Sequence, residues 1–447
     1  MNRQAGQPWI AGTPAARDGD RRYGVTPAVI LPTWCMVVLV TAVGACGAGV
    51  APVEVRGQLD ADEAPAVEVR VIVQREHRRD AARYLRGTVA ALRTMTAWVS
   101  PSPRPSLTVV DPPWHGPAGT DAAVVVLPRT PWWSSRTSMA PELAAARGVA
   151  ARGWSEAVDP SALPAWFTAG LVEYSARRAV APLFHGENLP PGFAMYEGRY
   201  FGGFLPWFAR IRLLPERDGD PLPAYRAHPR VEVAALASVG DERSLVAKTV
   251  LILATLERWL SRPVFDGVLA EFVRAFRGGR PTIDDFIRVA SATAGQDLAW
   301  LLGPTLGGSA TFDYAVGGLR SVPGPGGLFD TTVVVERRGD GVFAGASAPR
   351  QGPFESGRGV TVEVVFEDGE RAVDAWDGRD VRRELVYRSR SRAVSATVDP
   401  DQRILLDVNR TNNSSTIAPQ AAAAATRWAL RWMAWLEHAM LTYAALV

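Results

Sequence analysis

Between Met139 and Arg178 the chain reads MAPELAAARGVAARGWSEAVDPSALPAWFTAGLVEYSARR, and no other stretch restricts the possible folds as tightly. Leu143, Ala146, Val149 and Ala150 recur at helical spacing, Asp159-Pro160 and Pro164 interrupt the run, and Trp166 to Tyr174 resume it. The pattern predicts two helices joined by a short Pro-containing loop. A second helical block runs from Ser244 to Leu306. Val250, Leu251, Leu253, Ala254, Leu256 and Leu260 predict one strongly apolar helix, and Val268, Leu269, Phe272 and Val273 mark the inward side of another between Val264 and Phe276. Thr282 is placed to cap a third helix, with Asp285 three residues on at the capping-box position, and Gly295-Gln296-Asp297-Leu298 opens a fourth.

Strands flank these helices. Val67, Val69, Val71 and Val73 alternate within Ala66 to Val73, and Arg79 to Val99 then predicts a helix with Ala82, Leu85, Val89, Leu92 and Met95 on one face. Leu107 to Val110 and Ala122 to Leu127 are short apolar runs between turn signals, as buried strands are. After a linker at Ser321 to Gly327, the runs Thr331 to Glu336, Val360 to Phe366 and Glu384 to Val398, with a hairpin turn at Asp368-Gly369, predict a small β-sandwich. With 447 residues, 47% of them hydrophobic, the chain has core material for two or three domains. The fold class expected is α+β: a mostly helical domain over 66–320 and a β-sandwich over 328–415. Ahead of them stand a leader at 1–26, an apolar segment at 27–51 and an acidic linker at 52–65; a helix at 420–447 follows.

The two-helix stretch resembles the active-site helices of the M1 aminopeptidases, zinc enzymes with a thermolysin-like catalytic domain. In that family the first helix carries HExxH, two zinc-binding histidines with a general-base Glu between them, and the second carries the third ligand in W-x-x-E-G-x-x-x-Y. Here the first motif reads Pro141-Glu142-Leu143-Ala144-Ala145 and the second runs from Trp166 through Ala169 and Gly170 to Tyr174. The later helices resemble the family too, in the order of Lys248, the long helix, Thr282 to Phe286 and Gly295 to Leu298, but Val246 stands where the family has the tyrosine that stabilises the oxyanion. A GxMEN-type strand is matched by Gly119 to Val124, where Asp121 is the one carboxylate. Pro141, Ala145 and Ala169 have no lone pair for a metal, so the resemblance implies the fold without its zinc, and no other cofactor is expected. For Glu142 alone, the residue-level reading is an acidic side chain in the first turn of a helix, favoured by the helix dipole.

Charge and composition exclude other classes. The net charge is +3, with both signs scattered, which leaves no footprint for nucleic acid. Lys248 is the single lysine. His77, His115, His185, His228 and His438 are isolated, as surface or internally satisfied histidines are. Ala179 to Ser238 is rich in Pro, Gly and aromatics, which suits loops packed over helices or, alternatively, an aromatic-lined cleft.

Pro27 to Ala51 is nearly uncharged and long enough to span a bilayer as a signal anchor; Val43-Gly44-Ala45-Cys46 alternatively resembles a lipobox, which would make Cys46 a lipidated first residue. Trp428, Trp432, Trp435 and Ala439 recur at helical spacing near the other end, so 428–447 is a second candidate for contact with membrane lipid, lying on the bilayer, entering it, or docking on the protein. The expectation is an exported, membrane-anchored, non-catalytic protein that binds a peptide or a protein partner. The alternatives are a zinc aminopeptidase with ligands from elsewhere and a structural subunit of a membrane complex.

Overall fold

The computed structural model describes residues 39–41, 53–61, 64–99, 106–112, 123–128, 139–184, 221–230, 237, 240–345 and 359–419, and then 421–422, 425–426, 428–429, 432–433, 436 and 440. It is a mixed helix and sheet structure. The first layer is a five-stranded sheet in the order β1-β2-β3-β4-β5, formed by β1 (Leu39–Thr41), β2 (Val53–Ala61), β3 (Ala64–Val73), β4 (Ser106–Val110) and β5 (Ala123–Val126). β1 pairs antiparallel with β2 and β2 with β3, whereas β3, β4 and β5 are mutually parallel, with α1 (Ala81–Val99) making the crossover from β3 to β4.

Val67, Val69, Val71 and Val73 are buried along one face of β3, as their alternation requires. α1 packs on the sheet and on the neighbouring helices, burying Tyr84, Leu85, Ala91, Leu92, Met95 and Trp98. Its inward face is turned from the one expected: Ala82 and Val89 are half-buried, while Thr88 is fully buried because its hydroxyl donates to the Tyr84 carbonyl at 2.8 Å. The acidic linker expected at 52–65 is corrected as well, since it holds β2 and the start of β3. Val55 and Leu59 face inward, and buried Glu54 accepts hydrogen bonds from Arg56 at 2.7 Å and Arg70 at 2.9 Å. The hydrogen bond from Arg70, then that from Arg56, holds the Glu54 carboxyl below its usual range despite burial.

The apolar run 27–51 is described at Leu39–Thr41 alone, and those residues pair with β2 as a strand, not as part of a spanning helix. The rest of that run lies outside the described residues. Among the described residues no helix is long and apolar enough to cross a membrane.

The helices follow the periodicity closely. α2 (Ala140–Ala157) and α3 (Ala165–Val180) are separated by the Pro160–Ala162 turn, and α4 (Pro221–Ala227) precedes α5 (Glu242–Leu260), α6 (Arg262–Ala275), α7 (Ile283–Ala294) and α8 (Ala299–Leu306). At the start of α7 the capping box forms: the Asp285 amide donates to Thr282 Oγ1 at 3.2 Å and the Thr282 amide to Asp285 Oδ2 at 3.0 Å.

The sandwich stacks a three-stranded sheet, β10-β7-β6, against a four-stranded one, β12-β11-β8-β9. Its strands are β6 (Tyr314–Pro323), β7 (Phe329–Arg337), β8 (Val360–Phe366), β9 (Arg371–Trp376), β10 (Arg382–Ser389), β11 (Ala393–Val398) and β12 (Ser414–Thr416). Gly369, at φ 85° in the turn between β8 and β9, supplies the expected hairpin. β6 begins at Tyr314, so the expected linker at Ser321 to Gly327 divides into the end of a strand and a one-turn connection, Pro325–Gly327. Gly317 and Gly318 dilute the alternation there, and the ladder with β7 shifts register between Val316 and Gly318. Trp259 and Trp300 of the helices stack edge-on against Phe343 at 5.2 Å each, and Leu405 donates its amide to Thr255 of α5 at 3.2 Å.

Candidate functional site

Pro141, Glu142 and Ala145 lie on α2, which packs on α1 and α3, and Ala169 lies on α3, which packs in turn on α5; two of these helix contacts close at a residue with no side chain. A Cβ at Gly170 would stand 2.4 Å from Thr249 Cβ on α5, and one at Gly87 would stand 2.4 Å from the Glu142 carbonyl oxygen. α1 therefore lies directly against the first turn of α2, the turn that carries Pro141 and Glu142.

That contact decides the chemistry of Glu142. Its side chain is fully buried and its carboxylate is held by two guanidinium groups of α1. Arg83 grips it with two bonds, Nε to Oε1 at 2.9 Å and Nη2 to Oε2 at 2.8 Å, and Arg86 Nη2 adds a third to Oε1 at 3.0 Å. Arg83 also reaches Asp80 Oδ1 at 3.4 Å. A carboxylate serving as general base has to meet a water and take its proton. The Glu142 oxygens instead face α1, satisfied by positive charge. Glu142 does stand in the first turn of α2, as its residue-level reading has it; the pairing with Arg83 comes from 59 residues upstream, out of reach of any local pattern.

The other four positions matched to the motifs, Pro141, Ala145, Ala169 and Val246, carry no ligand atom. Pro141 and Ala145 are buried, Ala145 fully, and Ala169 and Val246 are half-buried apolar side chains on α3 and α5. One turn after Ala169, Glu173 supplies a carboxylate, but Arg147 of α2 holds it at 2.5 Å and 2.9 Å and Arg177 at 2.7 Å. Burial pushes the Glu173 carboxyl up, and the two arginines together overcome that and hold it below the usual range. Among the described residues no group of three or more His, Cys, Asp or Glu could hold a metal ion. Pro141, Ala145 and Ala169 offer no ligand atom for zinc, and the carboxylates of Glu142 and Glu173 are committed to arginines. Asp121 and the rest of Gly119 to Ala122 lie outside the described residues, as do the aromatics Phe193 to Phe208; the edge strand β5 starts at Ala123.

Sequence reasoning passed over two further polar clusters. His77 is buried, with Nδ1 2.5 Å from Oδ2 of Asp111 at the ends of β3 and β4, a satisfied histidine of the kind expected. In the other, Arg178 is buried between helices: it bonds Asp266 at 2.6 Å and the Tyr174 hydroxyl at 2.9 Å and lies 5.2 Å over the Trp98 ring. Tyr174 donates to Glu257 at 2.8 Å, so the motif tyrosine ties α3 to α5.

The lone lysine is buried as well. Lys248 Nζ donates to the Gly308 carbonyl at 2.8 Å, and desolvation lowers its pKa to about 8, with Asp340 opposing the shift. A lysine depressed from 10.5 to about 8 in the fold sheds its proton before the unfolded chain does. Stability therefore rises with pH between those values. Relative to Lys248→Met, the wild-type chain should gain about 3 kcal/mol across that window, read from urea melts at a series of pH values. Parallel curves would show that the amine is solvated.

No protein-family model matches the sequence, and no curated protein matches it. Solved structures similar to the chain include Legionella pneumophila aminopeptidase A in complex with aspartic acid, at 12% identity and a TM-score of 0.46, covering 80% of this chain and 38% of that one. Another is a mutant M1 zinc metallopeptidase from Deinococcus radiodurans bound to a Tyr-Ser-Ala substrate, at 15% identity and a TM-score of 0.32, covering 57% of this chain and 52% of that one. The chain spans about two fifths and about half of the two.

Proposed function

We propose that this chain is a non-catalytic protein of the zinc-aminopeptidase type, in which the paired helices serve as a scaffold for binding a peptide or a protein partner. The observation that carries the reading is the state of Glu142. It is the one residue of the HExxH frame that keeps its identity, and its carboxylate is buried against Arg83 and Arg86 with no zinc ligand at Pro141, Ala145 or Ala169. A base needs a free lone pair toward the reacting water; this one is spent on structure.

The test uses the full chain. Purified protein is assayed for zinc by elemental analysis, then incubated with a mixture of unblocked peptides that is recovered and weighed by mass spectrometry. The expected result is far less than one zinc per chain, with bound peptides released at their original masses. Stoichiometric zinc, or the loss of amino-terminal residues from the peptides, would overturn the reading. Peptides that neither bind nor change would remove the peptide-binding part and leave a protein partner as the occupant.

A further inference from the structure

The sandwich leaves β10 open on one side. The strand ends its sheet with β7 as its one neighbour, and among the described residues no strand pairs with its other edge. The ladder with β7 fixes which backbone groups face outward. Arg337 donates its amide to the Val381 carbonyl at 2.8 Å, so 381 and 337 form a hydrogen-bonded pair, and in antiparallel pairing such pairs recur at every second residue. Residues 383, 385, 387 and 389 therefore spend their N–H and C=O groups on β7, whereas Arg382, Glu384, Val386 and Arg388 turn theirs away from the sheet. Edge strands are commonly shielded by charge, proline, a bulge or a covering segment. β10 keeps one register along its length and contains no proline, so its charges alone decide what can pair with it.

We propose that β10 takes an extended acidic segment of another protein as an added antiparallel strand. From 382 to 392 stand five arginines and one acid, Glu384. Arg388 is paired with Asp330 at 2.8 Å, while Arg382, Arg383, Arg390 and Arg392 are exposed with no ion-pair partner among the described residues. A second copy of the chain is disfavoured by register, because two β10 strands joined along their full outward edges would set Arg382 against Arg388 at both ends. Nucleic acid matches the charge but not the backbone: phosphates accept hydrogen bonds and cannot donate to the outward carbonyls. A peptide strand does both. Antiparallel to β10, its residue facing Val386, which is 67% exposed, would be apolar, and those facing Arg388 and Arg382, two before and four after it, would be acidic. The site is separate from the α2 and α3 pair and stands or falls independently of Glu142.

The test titrates the full chain against a fluorescent peptide of that pattern, with valine at the apolar position, glutamate at the two acidic ones and threonine elsewhere, and reads anisotropy. Saturable binding is expected. Methylating the backbone nitrogen of the peptide valine, which faces β10, should weaken binding about tenfold, the cost of one unmade hydrogen bond. Methylating the next nitrogen, which points away, should leave it nearly unchanged. Arg382→Glu, at an exposed side chain, should weaken the acidic peptide several-fold and favour one with arginine at the facing position, with the circular dichroism spectrum unaltered. No saturable binding, equal loss from the two methylations, displacement of the peptide by an oligothymidylate of the same charge, or a chain that self-associates until Arg382→Glu is introduced would each overturn the proposal.

Discussion

Replacing Glu142 with alanine should destabilise the protein by about 3–5 kcal/mol, the range for removing one partner from a buried ion pair. The loss is not that of three hydrogen bonds. It is chiefly the cost of leaving Arg86, and Arg83 with Asp80 at 3.4 Å, short of a counter-charge in a desolvated site, Arg83 keeping 12% of its side chain exposed and Arg86 31%. Against a total stability of 5–15 kcal/mol for a typical domain, such a loss is visible in any urea melt. Glu142→Gln keeps the shape and two acceptor lone pairs, so it should cost less than the alanine. Adding Arg83→Met to the alanine variant should return part of the stability, because it removes the orphaned charge. The same substitutions separate structure from catalysis. A general base replaced by glutamine loses turnover while the fold is spared; a structural carboxylate loses stability and has no turnover to lose. Unchanged melting of Glu142→Ala would mean that the clamp is not formed.

The contrast between Glu142 and its helix shows where legibility ended. Leu143, Ala146, Val149 and Ala150 fixed α2 because helical periodicity is a local property, and Thr282 with Asp285 fixed the start of α7 for the same reason. What Glu142 does is set by Arg83 and Arg86, brought in by the packing of α1, and no window of sequence contains all three. β2 was hidden by a related effect. Glu54 and Asp60 gave its stretch the composition of a linker, yet Val55 and Leu59 keep strand alternation and Glu54 is buried by Arg70 from the neighbouring strand. In β6 the signal itself was weak, because glycines at 317 and 318 replaced the side chains that would have shown the alternation. Pro141, Ala145, Ala169 and Val246 were legible as inert side chains; that the Glu142 carboxylate among them is clamped was not.

Gly87→Ala is the second large effect, and its sign is the informative part. In an uncrowded helix, alanine in place of glycine is worth up to about 1 kcal/mol of added stability, since the unfolded chain loses freedom and the helix gains a better former. Gly267 of α6 meets that description, because a Cβ there would approach nothing nearer than Thr293 Cγ2 at 3.8 Å. Gly267→Ala should therefore stabilise by about 0.5–1 kcal/mol. At Gly87 the added carbon would lie 2.4 Å from the Glu142 carbonyl oxygen, 2.7 Å from its Cα and 2.9 Å from its carbonyl carbon, all backbone atoms that no rotamer change can move. α1 and α2 would have to separate, which stretches the Arg83 and Arg86 bonds to Glu142 as well as opening the core. Overpacking of this kind costs about 1–3 kcal/mol and at a rigid backbone contact about 3 or more, so the net effect should be destabilising by at least about 2 kcal/mol. The two variants are compared by urea midpoints under one set of conditions. Opposite signs place the helix crossing at Gly87, whereas a stabilising Gly87→Ala would mean that α1 and α2 do not meet there and that the carboxylate of Glu142 is free of its arginines.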